Sequence, residues 1–202
     1  MTISHPTMLT RKIVLASNNR GKLAEFAELL APLGLDVRPQ AEFDLPEAEE
    51  PYATFIENAL TKARHAARLT GLAALADDSG ICVNALGGAP GVLSARYAGE
   101  PKSDAANNRK LLIDLAAHED KSAYYYCVLV FVRHADDPQP VIADGSWRGE
   151  IIAEPRGEGG FGYDPLFWVK EYGKTVAQLS PLEKNAVSHR GQALRELIGK
   201  LR

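Results

Sequence analysis

Ile13-Val14-Leu15-Ala16-Ser17-Asn18-Asn19-Arg20-Gly21-Lys22-Leu23-Ala24-Glu25-Phe26-Ala27-Glu28-Leu29-Leu30 is the stretch that decides the fold class. It opens on a short continuous apolar run, the pattern of a strand buried on both faces. The run breaks at Ser17-Asn18-Asn19, and apolar residues then recur as Leu23, Phe26, Ala27 and Leu30. That i, i+3, i+4, i+7 spacing is one stripe of a helix, and Pro32 with Gly34 ends it. A buried strand leading straight into an amphipathic helix is the building unit of an α/β sheet.

The same alternation continues outward from this unit, with no internal repeat or low-complexity linker. After an acidic loop, Glu42 to Pro51, Thr54 and Glu57 form a capping-box pattern at the head of a second helix that Gly71 closes. Leu72 to Ala76 and Ile81 to Val83 read as strands on either side of a turn, Asp77-Asp78-Ser79-Gly80. Gly87-Gly88-Ala89-Pro90-Gly91 is too glycine-rich for regular structure. A helix is expected from about Ser103 to Ala117. Two longer β segments follow, Ala123 to Arg133 and Val141 to Ile152, antiparallel and joined by the polar Asp136-Asp137-Pro138. A glycine-rich loop and a C-terminal helix with the stripe Leu194, Leu197, Ile198 and Leu201 complete the chain. The expected architecture is α/β, with a mixed twisted central sheet flanked by helices.

Composition narrows the function classes. At 202 residues and 46% hydrophobic, the chain can bury a sizeable core as one domain or two tightly joined lobes. Residues 11–202 read as that domain and residues 1–10 as a flexible tail. A formal net charge of −3 argues against a protein whose main task is holding nucleic acid, yet a few placed lysines suffice for a small anion. Cys82 and Cys127 each sit in a strand-like apolar run, the pattern of buried thiols in a reducing compartment. No apolar run is long enough to span a bilayer, and the first ten residues lack the pattern of a signal peptide. A soluble, cytoplasmic protein with no membrane partner is expected.

Two segments carry chemistry. Ser17-Asn18-Asn19-Arg20-Gly21-Lys22 lies between strand and helix, where unpaired N–H groups and the helix dipole favour an anion. Asn19 can add a neutral donor and Lys22 an ammonium, although, taken alone, the segment is better explained as an ordinary capped helix start. Gly21-Lys22 lacks the remainder of a Walker A loop, and Gly157, Gly159 and Gly162 match G-x-G-x-x-G with no helix after them. On the second helix, Asn58, Lys62 and His65 share one polar face opposite alanines, so Lys62 is either a second cation for the site or part of a solvated face. The second segment is the pair Asp77-Asp78. Adjacent carboxylates resist burial unless a cation compensates them, and a hard divalent ion with oxygen ligands does so. A surface β-turn is the competing reading. If the two are extended, they project to opposite faces, and only one meets the metal.

Six stretches together resemble one family, the inosine triphosphate pyrophosphatases, also called XTP/dITP diphosphatases. They are Leu15 to Lys22, Phe55 to Ala63, Ala76 to Gly80, Gly87 to Gly91 with Ser94 to Tyr97, Gly159 to Pro165, and Ser188 to Gly191, in the family's order and spacing. The resemblance implies Mg2+-dependent hydrolysis of ITP, dITP and XTP to the monophosphate and pyrophosphate, by a homodimer with an active-site cleft between two lobes. It further implies that Ser17, Asn18, Asn19, Arg20, Gly21 and Lys22 bind the triphosphate with Lys62. Asp78 matches the proton acceptor and metal-binding acid, and Glu49 a metal-binding glutamate. Ser79, Phe161, Gly162, Tyr163, Asp164, Lys184, His189 and Arg190 correspond to substrate-contacting positions. One departure is Ser17-Asn18 where Thr-Gly is frequent.

The base end follows from donor chemistry. Hypoxanthine and xanthine present a 6-keto acceptor where adenine has an amino donor, and Lys184, Arg190 and His189 offer donors. Ser180, Pro181 and Glu183 form a helix start, but one continuous helix would set Lys184 and His189 roughly 140° apart. A break near Ser188 is therefore expected.

Overall fold

The computed structural model describes residues 12–30 and 35–201. The expected tail at residues 1–10 and the expected helix stop at Pro32 and Gly34 lie outside the described residues. The opening unit folds as its pattern predicts. Strand β1 (Lys12–Leu15) passes into helix α1 (Arg20–Leu30), whose Phe26 and Leu30 are buried; the side chain of Ala27, fourth member of the stripe, lies outside the described residues. β2 (Asp36–Pro39), α2 (Phe55–Thr70), β3 (Ala73–Val83) and α3 (Asp104–Leu115) follow. The chain then runs through β4 (Ser122–Val132), β5 (Val141–Ile151), β6 (Phe167–Val169), β7 (Lys174–Thr175), α4 (Pro181–Val187) and α5 (His189–Leu201). One seven-stranded sheet has the order β2-β1-β3-β4-β5-β6-β7. β1 is parallel to both its neighbours and all other pairings are antiparallel, so the sheet is mixed as expected.

Each helix sits where its small or apolar stripe lets it approach. Ala59, Ala63, Ala66 and Ala67 let α2 lie against Ala74, Ala76, Val128 and Val130 on one face of the sheet. On the other face Ala193, Leu194 and Leu197 of α5 pack with Phe26, Leu30, Leu129 and Ala143. Ile198 is only partly buried and Leu201 is exposed, so the C-terminal stripe stops a turn before the helix does. A third cluster, with Ile81, Leu111, Leu115, Tyr125, Trp147 and Phe167, fills the far end of the long strands under α3. Cys82 and Cys127 are free and buried, and burial, reinforced by the Asp77 charge, pushes the Cys127 thiol up to about 12. Among the described residues no helix is long and apolar enough to cross a membrane.

The expected turn at Asp77-Asp78-Ser79-Gly80 is absent. β3 continues straight through it, pairing Asp77 with Leu129, Asp78 with Val128, Ser79 with Cys127 and Gly80 with Tyr126. Local turn propensity yields because the ladder to β4 satisfies the backbone, and because each carboxylate meets a lysine on its own face. Gly80 therefore serves contact and not a turn. A Cβ there would collide with the Gly91 carbonyl and the Ser94 hydroxyl of the 3-10 segment Gly91–Arg96. Gly145 plays the same part on β5, where a Cβ would run into the His189 carbonyl and lie 2.8 Å from the Ala193 nitrogen. Gly80→Ala should destabilise the protein by roughly 1–3 kcal/mol, the usual cost of overpacking against backbone, as measured by urea denaturation.

Candidate active site

One cavity gathers most of the sequence-predicted side chains from both sides of the sheet, with α1, β3, the loop before β6 and the α4–α5 junction contributing to its wall. At its phosphate end, Asn19 caps α1: its Oδ1 accepts from the Lys22 N–H at 3.1 Å, and its own N–H donates to the Ser17 hydroxyl at 3.3 Å. The cap uses the oxygen of Asn19 and leaves its amide nitrogen as a donor. Asn18 donates to Glu47 at 3.1 Å, which ties the acidic loop to this turn. The side chain of Arg20 lies outside the described residues. Gly21 stands where a Cβ would come within 2.6 Å of the Phe161 ring, so its lack of a side chain makes room for the aromatic wall.

The two aspartates face opposite ways and meet different cations. Asp77, 1% exposed, receives Lys22 at 2.8 Å, the Ser79 hydroxyl at 3.1 Å and the Arg190 guanidinium at 3.8 Å. Burial works against its charge, but Lys22, Arg190 and Lys62 outweigh that and hold the carboxyl well below the usual range. Asp78, on the α2 face, receives Lys62 at 3.1 Å and Asn58 at 3.4 Å. Burial drives its carboxyl upward, Lys62 and Lys22 pull it back, and Glu50 and Asp77 push it up again. Lys62 completes the cluster by also reaching Glu50 at 3.0 Å. Burial disfavours its ammonium, yet Asp78, Asp77 and Glu50 together raise its pKa and keep it charged. Asn58 is buried, so this face of α2 is an interior polar surface and not a solvated one.

Glu49 does not join this group. It is exposed and outside the cavity wall, whereas its neighbour Glu50 lines the wall beside Lys62. A run of alternating acids gives no sign of which one turns inward, and the helix-borne lysine makes the choice. Among the described residues no group of three or more His, Cys, Asp or Glu side chains could hold a metal. Asp78 and Glu50 instead offer a two-carboxylate, all-oxygen donor set. That suits Mg2+, which keeps several waters and completes its shell with substrate phosphates.

At the base end the helix breaks as predicted. Ser180 and Glu183 form a capping box with Pro181 at the first turn, α4 ends at Val187, and Ser188 is extended at ψ 157° before α5 starts at His189. The break brings Lys184, His189 and Arg190 to one cavity. Lys184 lies 4.5 Å over the Phe161 ring, with Glu25 and Asp164 each at 2.9 Å. Arg190 is buried and pairs with Glu25, and it donates to the Ser79 hydroxyl at 3.1 Å. Gly162 is clamped by α3: its N–H donates to Asp104 at 2.7 Å and its carbonyl accepts from Asn108 at 3.0 Å. Tyr163 is a core residue whose hydroxyl donates to the Ser94 carbonyl at 2.8 Å, and Asp164 is spent on Lys184, Tyr125 and the Phe161 N–H. Within Phe161 to Asp164, then, Phe161 supplies the ring and Tyr163 and Asp164 hold it in place.

His189 is stacked on Tyr125, with ring centroids 4.8 Å apart, and its Nδ1 is buried with no partner among the described residues. Burial, then the Arg190, Lys184 and Lys22 charges, holds its pKa well below that of a free histidine, so it is neutral. Glu25 and Tyr125 were missed by sequence reading. Each looks ordinary in one dimension, an acid on an amphipathic helix and an aromatic in an apolar strand.

A Ham1 family model matches residues 13–200. The chain belongs to the Ham1 family. A dITP/XTP pyrophosphatase of Ralstonia nicotianae is 71% identical, covering 95% of this chain and 97% of that protein. Its counterpart in Chromobacterium violaceum is 66% identical over the same shares. Among solved structures, a Ham1 protein from Coxiella burnetii superposes with a TM-score of 0.89 at 53% identity, covering 95% of this chain and 98% of that one. The Staphylococcus aureus Ham1 protein gives 0.85 at 42% identity, over 95% and 98%. The mixed sheet with flanking helices is thus the Ham1 fold.

Two outcomes are expected of this Ham1 site. Gly21→Ala gains up to about 1 kcal/mol of helix propensity yet must displace Phe161, so thermal stability should hold while nucleotide affinity falls. Because folding depresses the His189 pKa, its contribution is intact above about pH 6.5 and is lost as the pH drops below it. Wild type should therefore lose up to about 1.4 kcal/mol per pH unit there more than His189→Gln, as read by urea titrations at pH 7.5 and 5.5.

Proposed function

We propose that this chain hydrolyses non-standard purine nucleoside triphosphates, dITP, XTP and ITP, to the monophosphate and pyrophosphate with Mg2+, and so clears them from the nucleotide pool. One observation carries the reading: a single cavity has a lysine–carboxylate cluster at one end and a lysine-covered aromatic ring at the other. The names of the relatives above supply the same substrate class. The homodimer, the two-lobed cleft and the cytoplasmic setting belong to this reading as well.

A triphosphate carries about four negative charges that repel an incoming nucleophile. Lys22 and Lys62, held by Asp77 and Asp78, stand where the phosphate chain enters from the N-terminus of α1. Ser17, Asn19 and the first N–H groups of α1 add neutral donors. Mg2+ held by Asp78 and Glu50 would supply charge neutralisation on the phosphate oxygens when bound. Asp78 keeps its carboxyl basic through burial and is the group that orients the attacking water and takes its proton. Asp77 is fully committed to Lys22 and Arg190 and acts as their support.

The base lies against Phe161, a stack of the kind worth about 1–3 kcal/mol. Neutral His189 and the cations Lys184 and Arg190 make this end rich in donors, which suits a 6-keto purine and leaves the 6-amino group of adenine unmatched. Glu25 bridges Lys184 and Arg190 and so fixes the spacing between them.

Pyrophosphate release from dITP, XTP, dATP, dGTP and a pyrimidine triphosphate, with and without Mg2+, tests the reading. Metal-dependent release from dITP and XTP is expected; release of orthophosphate in place of pyrophosphate, or none at all, overturns it. Asp78→Asn should lower kcat by at least about 100-fold at saturating Mg2+ while the melting temperature stays within a few degrees.

A further inference from the structure

Tyr125 touches both halves of the base-side wall. It sits on β4 between Ile81 of β3 and Trp147 of β5, facing the cavity, and is buried. Its hydroxyl donates to Asp164 Oδ1 at 3.0 Å. The other oxygen of Asp164 accepts both from Lys184 Nζ at 2.9 Å and from the Phe161 N–H at 3.0 Å. Meanwhile the ring face of Tyr125 lies nearly parallel to His189, with an interplanar angle of 12°. Its phenol remains protonated, since burial and then the Asp164 charge raise its pKa well above 10.

A carboxylate has two oxygens and can rotate about its bond to Cβ. With Oδ1 tethered by a fixed donor, Oδ2 is left to hold the ammonium and the loop N–H together. Without that tether Asp164 can turn toward Lys184 and release Phe161. We propose that Tyr125 is a positioning residue for purine recognition, one that orients Lys184 and Phe161 through Asp164 and orients His189 through its ring. The inference rests on the reading of this cavity end as the base site. It assigns no contact with the phosphates, because the hydrogen bond and ring contacts of Tyr125 run to Asp164, Phe167 and His189.

Tyr125→Phe keeps the ring and removes only the tether, which makes it the decisive variant. The KM for dITP should rise about 3- to 10-fold, the scale of one lost hydrogen bond to a charged group, with kcat within about 2-fold and inhibition by inorganic pyrophosphate unchanged. Tyr125→Leu, which also removes the ring face, should raise KM further. An unchanged KM in Tyr125→Phe overturns the proposal. So does a parallel loss of kcat and pyrophosphate affinity, since that is general loosening. Should the wild type fail to release pyrophosphate from dITP, the functional reading falls by itself. Calorimetric binding of IMP then decides the inference, weaker binding by Tyr125→Phe supporting it and equal binding overturning it.

Discussion

Two adjacent aspartates on a straight buried strand impose the strongest constraint in this protein. Strand geometry sends their side chains to opposite faces, so no single ammonium pairs directly with both. Each must be met by a positive group on its own side, or fold without its charge. The chain answers with Lys22 of α1 on one face and Lys62 of α2 on the other. That requirement fixes how α1 and α2 sit against the sheet. It also concentrates, at one point, the positive charge that a polyanion needs.

The remaining cations follow from the first pair. Arg190 can be buried only because Asp77 and Glu25 flank it, and Glu25 in turn holds Lys184. A chain of alternating charges therefore runs from the phosphate turn through α1 to the α4–α5 junction. Buried ionic networks of this kind add little net stability, because desolvation consumes the Coulombic gain. Their use here is positional: several polar side chains share one set of coordinates and cannot relax independently.

Much of this was readable in one dimension. The strand-to-helix unit at Ile13, the N-cap at Thr54, the capping box at Ser180 and the break at Ser188 all rest on local rules that tertiary structure left intact. Asp77 to Gly80 misled because their turn chemistry is also local, and pairing with eleven-residue β4 overrode it. The inward glutamate could not be told from its neighbour, since the choice depends on where Lys62 of a helix ends up. β2 was missed as well, being four residues with a proline and no apolar alternation. Residues whose role lies in what they brace, such as Glu25 and Tyr125, leave no trace in spacing or composition.

The glycine at 145 has a consequence beyond packing. The first turn of α5 rests on bare strand backbone there, so the depth of the base pocket is set by a main-chain contact and not by any side chain that lines it. A methyl group at that point would act as a shim under the helix, lifting His189 and Arg190 together while every residue of the pocket remained unchanged. Selectivity in such a protein can be altered from beneath a helix, by a strand position outside the pocket lining.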